Sequence, residues 1–294
     1  MQKAPDDFSR PASSCRAALN RPKLALPPGS CDAHFHVFGP STRFSLAPEH
    51  EYTPPEAPKE MLFALHGQFG FSHGVVVQPN CYGYDNAVTV DTVAASPNAY
   101  CGIALVPVTV SDSDLKRLDA AGIRGARFHF MTGRAGPAID DVIAFSRRLA
   151  EIGWHLQLQI EAARLGALAS NIKRSATPVM IDHMGRINAS LGLDQPAFQT
   201  LLEMMTDKNI WVKVSGIDRS TRQGPPYADA VPFARKLVEE FGDRVVWGTD
   251  WPHVNHAGPV PDDCVLIDCL AEIAPSEAQR QALLVDNPRR FYRF

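Results

Sequence analysis

A chain of 294 residues with 45% apolar and 21% charged side chains has the makeup of a globular protein able to bury one large core, which excludes a disordered or fibrous chain. The net charge of −3 gives no reason to expect nucleic acid or an anionic membrane as a partner, and no apolar stretch reaches the length of a membrane span. Six cysteines scattered without CxxC pairs, together with an N-terminus that lacks an apolar leader, lead us to expect reduced thiols in a cytoplasmic protein.

In chain order, residues 1–27 are rich in Pro, Ser and charge without periodicity and read as an N-terminal arm, with 28–294 as one domain. From Cys31 onward, short apolar β-rich runs alternate with segments of helical period. Strands are expected near 30–36, 74–78, 101–106, 124–129, 155–160, 178–182, 210–214 and 244–248. Between them, 140–153 and 233–242 carry apolar residues at three-and-four spacing and end in glycine, a helix C-terminal signal. Eight short strands with intervening helices predict an α/β fold in which a parallel sheet closes as a (β/α)₈ TIM barrel. The long Pro-rich stretch 39–58, the first βα loop, is expected to be a lid.

Active sites of such barrels are assembled at the C-terminal ends of the strands. His34 and His36 end the first strand in CDAHFHVFGP, and their i, i+2 spacing points both rings to one side. His183 ends the sixth strand in MIDHMGR, and Asp250 follows the eighth in VVWGTDWPH. An HxH pair alone is a weak signal, and His50, His66, His73 and His256 read as ordinary core or surface residues. The pair joined by a histidine after strand six and an aspartate after strand eight is far more specific.

These motifs, with EYTPPEAP at 51–58, VVVQPNCYGYDN at 75–86, AAGIRGARF at 120–128 and VKVSG at 212–216, resemble the amidohydrolase superfamily from Cys31 to Tyr292. The similarity is to the branch of 2-pyrone-4,6-dicarboxylate lactonases. The resemblance implies a distorted barrel of amidohydrolase type that opens the lactone ring of an anionic substrate. It also implies that Asp250 takes a proton from water while His34, His36 and His183 donate hydrogen bonds to the carbonyl oxygen. Relatives in this branch work with or without a metal, so no cofactor is obligatory. His34, His36, His183 and Asp250 are also a donor set for a single Zn²⁺. The bridging lysine of a binuclear centre is not evident near strand four, where Arg127 and His129 stand instead. Glu161, at the end of strand five, is a further candidate ligand or hydrogen-bond partner.

Arginine binds carboxylate with a planar fork, and Arg127, Arg134, Arg186 and Arg219 match the lactonase pattern as substrate cations. Tyr52 and Asn255 match substrate-binding positions, and Asn80 and Tyr82 are expected to face the mouth. Gln159 replaces the family's tyrosine, and FMTGRAG carries its arginine at an altered spacing, so the ring opened here need not be pyrone dicarboxylate. Carboxylated or sulfonated muconolactones are equally compatible. The rival enzyme class is a metal-dependent, non-oxidative decarboxylase of aromatic acids, and the rival from another class is a non-catalytic anion-binding barrel. Monomer and homo-oligomer both remain open.

Overall fold

The eight expected strands form in a computed structural model that describes residues 21–256 and 258–294. They are β1 Cys31–Phe35, β2 His73–Val77, β3 Tyr100–Ala104, β4 Ile123–Phe130, β5 His155–Ile160, β6 Val179–Ile181, β7 Ile210–Lys213 and β8 Val245–Val246. Each pairs in parallel with the next in chain order. The helices between them are α1 Lys59–Phe69, α2 Ala87–Ala94, α3 Asp112–Ala120, α4 Ile139–Glu151, α5 Ala162–Ile172, α6 Pro196–Met205, the short α7 Ile217–Ser220, and α8 Val231–Phe241.

The apolar spacing of the helices is what docks them on the barrel. In α4, Val142, Ile143, Phe145 and Leu149 are buried on one stripe, and in α8 Phe233, Ala234, Leu237 and Val238 do the same. Gly153, just past α4, takes the expected left-handed φ of 69°. Gly242 does not. Its φ is −56°, and what demands glycine there is crowding, because a Cβ would sit 2.8 Å from the carbonyl oxygen of Val238.

The barrel interior divides into two halves. Toward the N-terminal ends of the strands Cys31, Val75, Cys101, Met180, Trp211 and Val246 form an apolar plug with Tyr292 from the C-terminal helix. Two residues further along, on the same strand faces, the interior turns polar: Lys213 follows Trp211 and Asp182 follows Met180, both fully buried. The candidate site residues stand on this polar layer.

Closure falls between β1 and the chain after β8, a segment too short to zip as a full strand. Ala33 donates to the carbonyl of Trp247 at 2.9 Å, Asp250 to that of His34 at 2.7 Å, and His36 to that of Trp251 at 2.8 Å. Asp32 locks the seam, its Oδ1 accepting from the amides of His34 (3.1 Å) and Thr249 (2.9 Å) and its Oδ2 from the Thr249 hydroxyl (2.6 Å). Gly248 lets the two backbones meet, since a Cβ there would lie 2.3 Å from the amide nitrogen of His34.

The expected arm falls mostly outside the described residues. Of its last part, Lys23 and Leu24 donate backbone amides to Asp268 at 2.7 and 3.0 Å, and Leu24 and Leu26 pack on the core. Among the described residues no helix is long and apolar enough to cross a membrane, and Cys31, Cys81, Cys101, Cys264 and Cys269 form no disulfide.

Overpacking a backbone seam cannot be relieved by rotating a side chain. Gly248→Ala is therefore expected to destabilise the protein by about 3 kcal/mol or more, lowering Tm by roughly 5 °C or more in a calorimetric scan. An unchanged Tm would show that the seam does not constrain the fold.

Candidate active site

Three imidazoles surround one carboxylate oxygen. The Nε2 atoms of His36, His34 and His183 lie 3.5, 3.7 and 3.7 Å from Asp250 Oδ1. The other carboxylate oxygen, Oδ2, accepts from Arg219 Nε at 2.5 Å. His34 and His36 come from β1 and the residue just past it. His183 arrives through a left-handed turn in which His183, Met184, Gly185 and Arg186 have φ of 48°, 52°, 64° and 53°. Asp250 itself has φ 62°. Four non-glycine residues in this region cost about 1 kcal/mol or more each, strain that the packed barrel holds in order to aim these side chains.

Burial opposes the charge on Asp250, but the Arg219 guanidinium foremost outweighs it and holds the carboxyl well below the usual range. Burial also disfavours charge on His183, pushing it down to about 4 against the pull of Asp250 and Asp182. Burial, followed by the Lys213 cation, drives His34 well below its ordinary value. The centre thus sets an ionised carboxylate against the neutral rings of His34 and His183.

Beneath it lies a charged layer that sequence reasoning missed. Asp182 Oδ2 accepts from Arg127 Nε at 2.9 Å and Gln157 Nε2 at 3.2 Å. Burial opposes its ionisation, yet Arg127 and Lys213 keep it well below the carboxylate norm. Lys213 Nζ contacts the Ala33 carbonyl (2.9 Å), Gln157 Oε1 (3.0 Å) and His34 Nδ1 (3.1 Å). Burial lowers Lys213 to about 8, with Asp182 countering, so it is a cation at neutral pH. The available signal was a lysine inside the apolar strand IWVKV, where only a paired charge is tolerated.

Above the centre opens a cavity of about 290 Å³ lined by Tyr52, Asn80, Arg127, Arg134, Arg186, Arg219 and Asn255, as well as His36, His183, Gln159 and Asp250. All seven residues expected to bind substrate therefore lie on its wall. Tyr82 does not, being buried beside Phe38 with its hydroxyl accepting from the Gly39 amide at 2.8 Å. His129 stands behind the wall, Nδ1 to Gln159 Oε1 at 2.7 Å. Glu161 is not part of the centre either, because it is engaged with the backbone amide (3.0 Å) and hydroxyl of Thr132. The stretch 39–58 contributes Tyr52 to the wall and Glu51 as an ion-pair partner of Arg134.

Four arginines and a single carboxylate line the cavity. Arg127 is engaged by Asp182, Arg219 by Asp250 and Arg134 by the half-exposed Glu51. Arg186 has no carboxylate within ion-pair distance among the described residues. The cavity thus carries an excess of positive charge that suits an anion.

A metal ion is a poorer match. His34, His36 and Asp250 bring ligand atoms within 4.8 Å of one another, a group that leaves out His183. The spacing is adequate, and His36, whose Nδ1 lies 2.7 Å from the Val77 carbonyl, turns an unprotonated Nε2 inward when neutral. At His34, however, a lysine ammonium stands against the ring nitrogen opposite the would-be ligand atom, and Arg219 already offsets the charge of Asp250 through Oδ2. The residues do not fit a resident dication as they stand.

The family profile described as Amidohydrolase matches residues 31–294. The chain belongs to the amidohydrolase family. It is 42% identical over 283 residues to a 2-pyrone-4,6-dicarboxylate hydrolase of Comamonas testosteroni, covering 93% of each chain. It is 39% identical over 279 residues to a 4-sulfomuconolactone hydrolase of Hydrogenophaga intermedia, covering 93% of this chain and 92% of the relative. Among solved structures it resembles a probable 2-pyrone-4,6-dicarboxylic acid hydrolase of Acinetobacter baumannii with citric acid bound, at TM-score 0.82 and 28% identity over 90% of this chain and 100% of the other.

Since His183 stays neutral above about 4 and Asp250 stays charged, kcat/KM is expected to be level from neutral pH down to within a unit of that value. A His183 ring that titrates instead in the ordinary histidine range, about 6.5, when followed by NMR would contradict these assignments.

Proposed function

We propose that this amidohydrolase opens the lactone ring of a small substrate bearing two anionic groups, of the 2-pyrone-4,6-dicarboxylate or sulfomuconolactone kind, and does so without a resident metal. The observation that carries the reading is the cavity wall itself, with four arginines against a single carboxylate, Asp250, which three histidines ring. The names of the relatives supply the reaction class, and the same arginines argue for two anionic groups: among the described residues Arg186 has no carboxylate within ion-pair distance, and Arg134 is held by Glu51, which a substrate carboxylate or sulfonate can displace.

In this mechanism Asp250, kept ionised by Arg219, takes a proton from water as the water oxygen bonds to the lactone carbonyl carbon. His34 and His183 face the carbonyl oxygen and donate to it as negative charge develops. His183 can do so because the Ser215 hydroxyl, 3.0 Å from its Nδ1, can donate to that nitrogen and leave the proton on Nε2. His36 departs from the donor role expected of it: with Nδ1–H given to Val77, its Nε2 accepts from the attacking water and holds it beside Asp250. Collapse of the tetrahedral intermediate breaks the ring carbon–oxygen bond, and the proton on Asp250 passes to the leaving oxygen. Residues 28–294 carry out the whole sequence as one domain.

Two variants test this. Asp250→Asn is expected to keep the fold and lose kcat by about 10³-fold or more toward 2-pyrone-4,6-dicarboxylate or a sulfonated or carboxylated muconolactone, followed by ring absorbance. A folded Asp250→Asn protein with full turnover would refute the mechanism, and CO₂ release during turnover would move the chain to the decarboxylases. Arg186→Met is expected to raise KM about tenfold or more with a smaller effect on kcat. Equal KM values for wild type and variant would remove Arg186 from substrate binding.

A further inference from the structure

The buried ammonium of Lys213 has three N–H groups and three close acceptors: the Ala33 carbonyl at 2.9 Å, Gln157 Oε1 at 3.0 Å and His34 Nδ1 at 3.1 Å. An ammonium has no lone pair, so a ring nitrogen this close to it must be the unprotonated one. The competing partner of His34 Nδ1 is Asp182 Oδ1, farther off at 3.4 Å and itself 3.5 Å from the Lys213 ammonium. On the opposite side of the ring, His34 Nε2 is completely buried, has no hydrogen-bond partner, and points toward Asp250 Oδ1 across 3.7 Å. His34 does not itself line the cavity, but it stands against His36, His183 and Asp250, which do, so its unsatisfied Nε2 calls for a partner on that side.

We infer that Lys213 is a positioning residue that holds neutral His34 in the Nε2–H form, making it a hydrogen-bond donor to the substrate carbonyl oxygen and at the same time unfit as a metal ligand. The two histidines of the HxH motif then have opposite polarity. His36, fixed through Val77, offers a lone pair, while His34, fixed through Lys213, offers a proton. One buried cation on β7 converts a motif that elsewhere suits a metal into a lone-pair site for water next to an N–H site for the oxyanion. The inference deepens the lactone reading and rests on it for the identity of the acceptor, but not for the tautomer.

The full chain labelled with ¹⁵N-histidine, free of ligand at neutral pH, is examined by long-range ¹H–¹⁵N correlation, with His34 assigned by comparison with His34→Gln. The expected spectrum has Nδ1 of His34 unprotonated and Nε2 protonated. A spectrum with Nδ1 protonated overturns the inference, whatever the substrate proves to be; conversely, a confirmed tautomer with no lactone opened would fault the proposed reaction alone. Lys213→Met, checked for folding by circular dichroism, is expected to free His34 to turn Nδ1–H toward Asp182. Its kcat should then fall by about 10²-fold with KM changed less than about threefold. The same variant should bind Zn²⁺ in calorimetric titration where the wild type does not. A folded variant with unchanged kcat and unchanged His34 tautomer overturns the inference, as does tight Zn²⁺ binding by the wild type. Should the variant not fold, the wild-type spectrum and titration decide the question.

Discussion

The molecule depends on how its barrel closes. The seam between β1 and the residues after β8 is made by backbone hydrogen bonds, among them the 2.7 Å contact from the Asp250 amide to the His34 carbonyl. The same residues that close the sheet therefore carry the candidate centre. Gly248 allows the approach and Asp32 fixes it from below through the amides of His34 and Thr249. Fold stability and the alignment of histidine and carboxylate are one constraint here, which is why a buried acid, Asp32, serves structure at the very foot of the site.

On that frame the electrostatics follow a vertical order. An apolar plug around Trp211 and Tyr292 fills the base, a layer of Lys213, Asp182, Arg127 and Gln157 pairs its charges internally, and the imidazoles with Asp250 sit on top. The buried ion pairs are not to be read as a stability reserve, because desolvation consumes most of their attraction. What they secure is orientation and protonation state. Asp250 remains a carboxylate, His34 and His183 stay neutral, and Arg134 and Arg186 face the cavity above.

Much of this was legible in the sequence. The alternation of short β-rich runs with amphipathic segments located all eight strands, since buried strands and one-faced helices impose those periods directly. The HxH pair, His183 and Asp250 could be read because strand ends are where barrels place chemistry. The residues matched to substrate contacts line one cavity. What was not legible depends on contacts across the barrel. Tyr82 turns inward to cap the Gly39 amide, Glu161 ties down the loop at Thr132, and Gly242 is needed for space and not for its dihedral. The role of Lys213 depends on which of two neighbours, β1 or β5, its head reaches, and it reaches both. No local pattern encodes that.

The central claim, hydrolysis by an aspartate in a cation-rich, metal-free centre, is tested most directly by one single-turnover measurement. Chelator-stripped enzyme is mixed with a dianionic lactone in H₂¹⁸O, and the ring-opened product is weighed by mass spectrometry. The account predicts one ¹⁸O in the new carboxyl group, at a rate that added Zn²⁺ does not raise. No turnover until Zn²⁺ is restored, or a product short of CO₂, would contradict it.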